Sequence, residues 1–331
     1  MLENNQDNKQ EVLIEETVEN KEKDYSKPVY IESEEALFNN IETRQKAFSE
    51  FFNGNKKTST IILVVFVVLM VAAVFLLGKL EGVFLPVIVG LIVVYFVILF
   101  IFSNKSKTQL NENADRLIDE FFLDLDSYVT QNEAFSDLTF DSHRKLDEEE
   151  IKKVRLVKDI NHVGGRDVIR GKIFDNDFSA GDVLIKTLET DEEGTSKHYI
   201  VFLGKMFIIE KSLTSEGRAI IYLKGKGANG PTDIDDLQKV EGLLSEKYDV
   251  YSSFDLTNIV NSKVKDILEQ FENNEMLLDM FISIDTERVE FGFSYSDAVM
   301  RVPLVEELNR ESITQYKQDV ERMIAILAAI K

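Results

Sequence analysis

The chain contains no cysteine and no tryptophan, and among its 331 residues there are only four prolines and three histidines. Without cysteine there is no disulfide, no thiolate metal site and no cysteine nucleophile, a composition that suits a reducing compartment. His143, His162 and His198 are widely spaced and fall in no metalloprotease or deaminase pattern. No P-loop and no Gly-x-Ser-x-Gly elbow is present. Positive charge is scarce as well, with 38 basic residues against 59 acidic ones and a formal net charge of −21. A field of that sign excludes nucleic acid as a partner of the bulk surface, and it repels anionic lipid except where lysines cluster. No catalytic, cofactor-binding or metal-ligating residue is nominated, and no cofactor.

What the chain does have is oil. Two apolar blocks, Ile61 to Leu77 and Val83 to Phe102, flank Gly78-Lys79-Leu80-Glu81-Gly82, and neither holds a charge. Each reaches or approaches the roughly 20 residues that cross a hydrocarbon core of about 30 Å as a helix. The blocks are apolar all round, with only Gly90 and Tyr95 interrupting aliphatic residues and Phe, and Pro86 falls in a first helical turn where its missing donor matters least. The reading is a transmembrane helical hairpin over residues 59–103, in contact with the lipid bilayer through 61–102. Arg44, Lys46, Lys56 and Lys57 precede it and Lys105, Lys107 and Arg116 follow, while the turn offers Lys79 alone beside Glu81. The positive-inside rule then predicts a multi-pass protein of the cell membrane with both termini cytoplasmic. The 60 residues before the first block make a secretory signal peptide a poor fit.

Residues 1–40 carry 11 acidic and 4 basic side chains with no sustained period, which predicts a disordered, solvated acidic tail. Leu37, Ile41, Phe48 and Phe52 then fall at helical spacing with Ser33 as a cap. They predict a juxtamembrane amphipathic helix over 41–58, starting from about Glu34 and turning at Asn53-Gly54-Asn55. Residues 104–331 read as a cytosolic, mostly antiparallel α+β domain. It opens with an amphipathic helix continuing the second span. Leu117, Phe121, Phe122 and Leu125 lie on its inner side, and Asn111, Glu112, Asp115, Asp119, Glu120 and Asp126 on its wet side.

A short helix at 147–157 is followed by strands expected at 167–174, 182–188, 197–203, 206–211, 218–224, 238–241 and 248–252. A helix over 255–273 comes next. Then Leu278, Met280, Ile282 and Ile284 alternate on one arm of a hairpin and Val289, Phe291, Phe293 and Tyr295 on the other, predicting one buried and one wet face. A helix over 312–330 closes the chain.

Two stretches imitate ligand sites. Gly225-Lys226-Gly227-Ala228-Asn229-Gly230 has dinucleotide-like glycines, but Pro231 follows where a helix must open, so a loop is expected. Asp175, Asp177 and Asp182 suggest a calcium loop, yet the sixth position is Ala180 and the twelfth Lys186, so a hairpin turn is expected instead.

The chain resembles an uncharacterised bacterial two-pass membrane protein family, domain of unknown function thirty-one thirty-seven. The features that carry the likeness are the N-terminal hairpin, Gly165-Arg166-Asp167-Val168-Ile169-Arg170-Gly171, Val201-Phe202-Leu203-Gly204-Lys205-Met206-Phe207, Val250-Tyr251-Ser252, and the final hairpin and helix. The resemblance implies a cytosolic α+β domain on a two-pass anchor and no established reaction. The function expected is a non-enzymatic, membrane-anchored binding or scaffold module with a protein or ligand partner. The alternatives are a membrane-bound hydrolase or transferase with a carboxylate site, and an oligomeric pore subunit built through small residues such as Ala72, Ala73 and Gly90.

Overall fold

A computed structural model describes residues 24–77, 84–190, 196–213, 217–225, 230–295 and 308–330. In chain order the elements are α1 (Glu34–Leu77), α2 (Phe84–Val129), β1 (Phe135–Asp141), α3 (Glu148–Lys153), β2 (Ile160–Ile173), β3 (Asn176–Thr190), β4 (Ser196–Glu210), β5 (Ala219–Leu223), β6 (Gln238–Lys239), β7 (Tyr248–Ser252), α4 (Ser262–Phe271), β8 (Leu277–Ile284), β9 (Arg288–Tyr295) and α5 (Arg310–Ala329). The fold is α+β, with two long apolar helices ahead of a mostly antiparallel sheet.

The two helices are long and apolar enough to cross a membrane, and none of the most apolar stretch of either is buried by the rest of the chain. At 44 and 46 residues they exceed any hydrocarbon core: at 1.5 Å per residue each measures about 66–69 Å. The surplus is spent in the domain. Leu37, Phe38, Ile41 and Phe48 of α1 and Leu117, Phe121, Phe122 and Leu125 of α2 are buried there. The turn expected at Asn53-Gly54-Asn55 is absent and α1 runs straight through it. A single interior glycine costs a helix only about 1 kcal/mol, and with no proline beside it the i to i−4 ladder continues. The Gly54 carbonyl also accepts from the Thr58 hydroxyl at 3.0 Å.

Residues 24–40 do not form part of the solvated tail expected over 1–40. Residues 1–23 lie outside the described residues, but from Asp24 the chain is laid along the domain. The Val29 amide donates to Ser127 Oγ, the Ile31 amide to Gln131 Oε1, and the Phe140 amide to the Ser26 carbonyl. Buried amides and apolar anchors such as Ile31 offset the ordering entropy that a charge count alone made prohibitive.

Among the described residues nine strands form one antiparallel sheet in the order β1-β2-β3-β4-β9-β8-β5-β7-β6. The ends of α1 and α2, with α4 and α5, cover one face through a core that includes Phe122, Phe207, Phe291 and Tyr316. α3 and flanking loop residues cover the other through Leu146, Ile151, Phe202 and Phe281. The β8–β9 hairpin is central, so its second face is buried rather than wet. Phe281, Ser283 and Glu290 on that face are each 2% exposed or less. The two strands expected at 197–203 and 206–211 are one, β4. Gly204 and Lys205 imitate a turn in the sequence, but a Cβ on Gly204 would lie 2.2 Å from the Phe293 carbonyl oxygen, so the glycine permits strand pairing. A strand not expected from the sequence, β1, sits at the sheet edge. The expected helix 255–273 shortens to α4, capped by the Asn261 side chain accepting from the Val264 amide at 3.1 Å.

Candidate functional site

Lys205 is where four elements meet. Its position on β4 faces the helix layer, and its ammonium lies within salt-bridge range of three carboxylates: Asp167 of β2, Asp182 of β3 at 3.3 Å and Asp126 of α2 at 3.4 Å. All four side chains are less than a tenth exposed. Two of them arrive by ordinary pairing, since Asp182 and Lys205 are opposite each other in the β3–β4 register. Asp167 arrives by a bulge. Between Arg166↔Asp182 and Ile169↔Ala180 the register slips, setting Asp167 and Val168 against Gly181 alone. Asp167 takes φ +63° and Gly165 φ +153°. A bulge of this kind re-aims a side chain. Arg166 stacks on the Phe122 ring of α2, 4.6 Å from its centroid, and Asp167 reaches Lys205.

The electrostatics follow from burial. Desolvation raises the Asp126 carboxyl well above the usual range, and the neighbouring Asp167 charge raises it further. Asp182 is pushed up to about 7 by burial, against the pull of Lys205. Burial alone would lower the Lys205 pKa, but three surrounding carboxylates outweigh it and hold the ammonium charged. The chemistry is one ammonium shared among three acids, and both Asp126 oxygens are buried without a hydrogen-bond partner. Tyr316 of α5 brings a buried hydroxyl with no hydrogen-bond partner into the field of this group. A second isolated acid, Glu290 on the opposite face of the sheet, is pushed up to about 7 by burial, with Ser283 and Arg288 pulling the other way.

Asp126, Asp182 and Glu290 have the raised ionisation of buried acids, and each is less than a tenth exposed. The larger cavity, of about 1050 Å³, lies between α1 and α2, and a smaller one of about 280 Å³ lies beside Arg44 and Arg116. No member of the Lys205 cluster lines either. The arrangement ties α2 to three strands, with α5 packed over it. Two further clamps act alongside. Arg44 of α1 pairs with Asp124 at 2.5 Å and Glu120 at 3.0 Å on α2. Buried Asp319 of α5 accepts from Asn274, Tyr295, Gln315 and Arg322 at 2.6–3.2 Å.

Asp126 and Glu120 were expected on the wet side of their helix, and both are buried. Asp126 meets Lys205 of β4, and Glu120 meets Arg44 of α1 as well as Arg116 of its own helix; the first two lie some 80 residues away in sequence, where local periodicity has no view of them. Asp175 sits in the β2–β3 turn as expected, while Asp182 belongs to the buried cluster and not to any loop with it. The three histidines stay apart, His143 against Asp119 at 3.0 Å and His162 and His198 exposed on β2 and β4. Residues 226–229 of the glycine-rich stretch lie outside the described residues. Among the described residues no group of three or more His, Asp or Glu is arranged to hold a metal ion.

At the far end of β4 the surface changes character. β9 pairs with β4 only over residues 205–210, so 196–204 have β3 on one side and no strand on the other among the described residues. Leu188, Tyr199, Ile200 and Leu203 on this ribbon are 38–57% exposed.

No family model matches the chain, and no curated protein matches it. Among solved structures, the crystal structure of the mycobacterial trehalose monomycolate transport factor A, TtfA, aligns with 62% of this chain and 93% of that one, at 11% identity and a TM-score of 0.32. A likeness of that degree carries no functional argument.

Proposed function

We propose that the chain is a membrane-anchored, non-enzymatic binding or scaffold module whose two long helices cross the bilayer and hold an α+β domain rigidly at the cytoplasmic face. One observation carries the reading: both helices pass without a break from their apolar stretch into the core of the domain, where the Lys205 cluster and Arg44 fasten them. A flexible anchor needs neither. The lysines and arginines flanking the apolar stretches favour both termini inside. The partner surface in this reading is the outer β3–β4 ribbon, where exposed apolar side chains adjoin a strand edge that no described strand covers, a combination suited to β-strand addition by another protein. The family resemblance belongs to the same proposal. What supports it is that two of the stretches carrying it, Gly165-Arg166-Asp167 and Gly204-Lys205, meet at the buried cluster.

The test is crosslinking in native membranes followed by affinity capture of the full-length chain, alongside the variant Ile200→Glu/Leu203→Glu. A protein recovered reproducibly with the unaltered chain and lost with the variant supports the reading. Recovery of nothing that distinguishes the two refutes it. Protease added outside sealed cells should leave residues 104–331 intact, and digestion of that half would overturn the orientation.

A further inference from the structure

The cavity between α1 and α2 is built for something. The helices touch above it, where Phe66 and Tyr95 stack with ring centroids 3.8 Å apart, and below it, where Arg44 bonds Asp124. Between these contacts they part around about 1050 Å³. The upper wall is apolar, with Val93, Phe96, Val97 and Phe100 of α2 lining it. The lower wall is polar, with Asn55, Lys56 and Ser59 of α1 facing Ser103, Asn104 and Lys107 of α2.

The depth of the two lysines is informative. Lys56 stands five residues before the apolar run of α1 begins at Ile61, and Lys107 five residues after that of α2 ends at Phe102. At 1.5 Å per residue both lie about 7.5 Å outside the apolar stretch, the level of lipid phosphates when the helices span a bilayer. Neither has a carboxylate within salt-bridge range among the described residues. In a chain of net charge −21 the helical residues 51–77 and 84–111 contain no acid at all, while Lys56, Lys57, Lys105 and Lys107 ring this level. An acyl slot with two unopposed ammonium groups and hydroxyl and amide donors at its mouth matches one occupant by shape and charge.

We propose that this groove is a binding site for one anionic phospholipid of the inner leaflet, its headgroup phosphate held between Lys56 and Lys107 and one acyl chain laid along Val93, Val97 and Phe100. The proposal rests on the reading above that the two helices cross the bilayer. Each lysine at a charged lipid surface contributes about a fivefold preference, so the pair gives roughly twenty-five-fold for an anionic over a zwitterionic lipid.

The experiment uses the full-length chain, equilibrated in detergent with equimolar phosphatidylglycerol and phosphatidylcholine, with retained lipid counted by native mass spectrometry. Unaltered protein should retain a single phosphatidylglycerol. Lys56→Gln/Lys107→Gln should bring the two lipids to parity, and Val97→Trp, which fills the slot, should lose both. Lys57→Gln/Lys105→Gln, which removes equal charge at the same level outside the groove, should retain the preference. Loss in this last variant equal to that in the first would mean a diffuse basic belt and overturn the site. So would absence of preference in the unaltered chain, displacement by free glycerol phosphate, or a dimer that Val97→Trp dissolves. Thermal unfolding of each variant reports whether its domain is intact. Where Lys56→Gln/Lys107→Gln proves unfolded, collapse of the unaltered chain's preference in high salt takes its place as the required result, and persistence there overturns the site. Release of the chain from membranes by alkaline carbonate would overturn the spanning reading together with the site. A carbonate-resistant chain without lipid preference overturns the site alone.

Discussion

Replacing Lys205 by Met tests the central claim about how the domain is fastened. The substitution keeps much of the side-chain volume and removes the ammonium shared by Asp126, Asp167 and Asp182, all less than a tenth exposed, leaving Asp182 with Arg166 at 3.9 Å. Deleting one partner of a buried ion pair costs about 3–5 kcal/mol, because the remaining charge is left without solvent or counterion. Against a typical domain stability of about 5–15 kcal/mol, that is roughly a fifth of the margin or more. The cost should depend on pH with a definite sign. Lys205 is what opposes the burial-driven rise of Asp182, so without it the carboxyls hold protons to higher pH, and Lys205→Met should lose less stability at pH 5 than at pH 8. Lys205→Met/Asp167→Asn, which removes the stranded charge as well, should recover about 1–3 kcal/mol. Urea unfolding of the full-length chain in detergent micelles can be followed by tyrosine fluorescence, since there are 10 tyrosines and no tryptophan. A loss under about 1 kcal/mol at pH 8, or a double variant no more stable than the single, would show that the cluster is not the fastening described here.

Three further outcomes are expected. Asp182 and Glu290, held at about 7 against ordinary values near 4, favour the folded state fully at low pH and lose that contribution as pH rises through 7. Each corresponds to about 3–4 kcal/mol, so the melting temperature should rise as pH falls from 8 to 5.5, and Asp182→Asn/Glu290→Gln should flatten that slope. Gly165→Ala should destabilise by more than about 2 kcal/mol in the same urea assay, since φ is +153° and a Cβ would sit 2.0 Å from the Asp182 carbonyl oxygen. Arg44→Gln removes the guanidinium that pairs with Asp124, 1% exposed, and should cost about 1–3 kcal/mol while loosening α1 from α2, read as faster proteolysis between residues 24 and 50.

The parts of the molecule that were legible in its sequence are those fixed by neighbours. The apolar stretches, α2 as a continuous rod, the β8–β9 hairpin, β7 and α5 follow from period and turn chemistry within about 20 residues. Where long-range partners decide, local signals mislead. Gly204-Lys205 looks like a turn because both residues are poor strand formers, yet the glycine admits the Phe293 carbonyl and the lysine finds three acids. Asp126 looks solvated because its helix is amphipathic around it. A lysine flanked by strand residues on both sides, in a chain with 59 acids, was the available hint that a buried counter-charge lay elsewhere.

The same contrast separates the fastening from the lipid groove. The cluster places a positive charge among three negative ones deep in the domain, where desolvation makes each pairing steep and geometry strict. The collar does the reverse, keeping acids away from four lysines at the apolar boundary, where water still reaches and selectivity comes from charge balance more than from fixed contacts. Both act on α2, whose residues 93–107 line the groove and whose Asp126 enters the cluster. The groove and the cluster are therefore joined by a single stretch of unbroken helix, about 28 Å from Lys107 to Asp126 at 1.5 Å per residue. Removing the groove lysines should leave the cluster's pH response unchanged at equilibrium, because about 28 Å of helix separates Lys107 from Asp126, several times the screening length of about 8 Å at physiological salt. Any coupling between the two ends must be mechanical, through the helix itself.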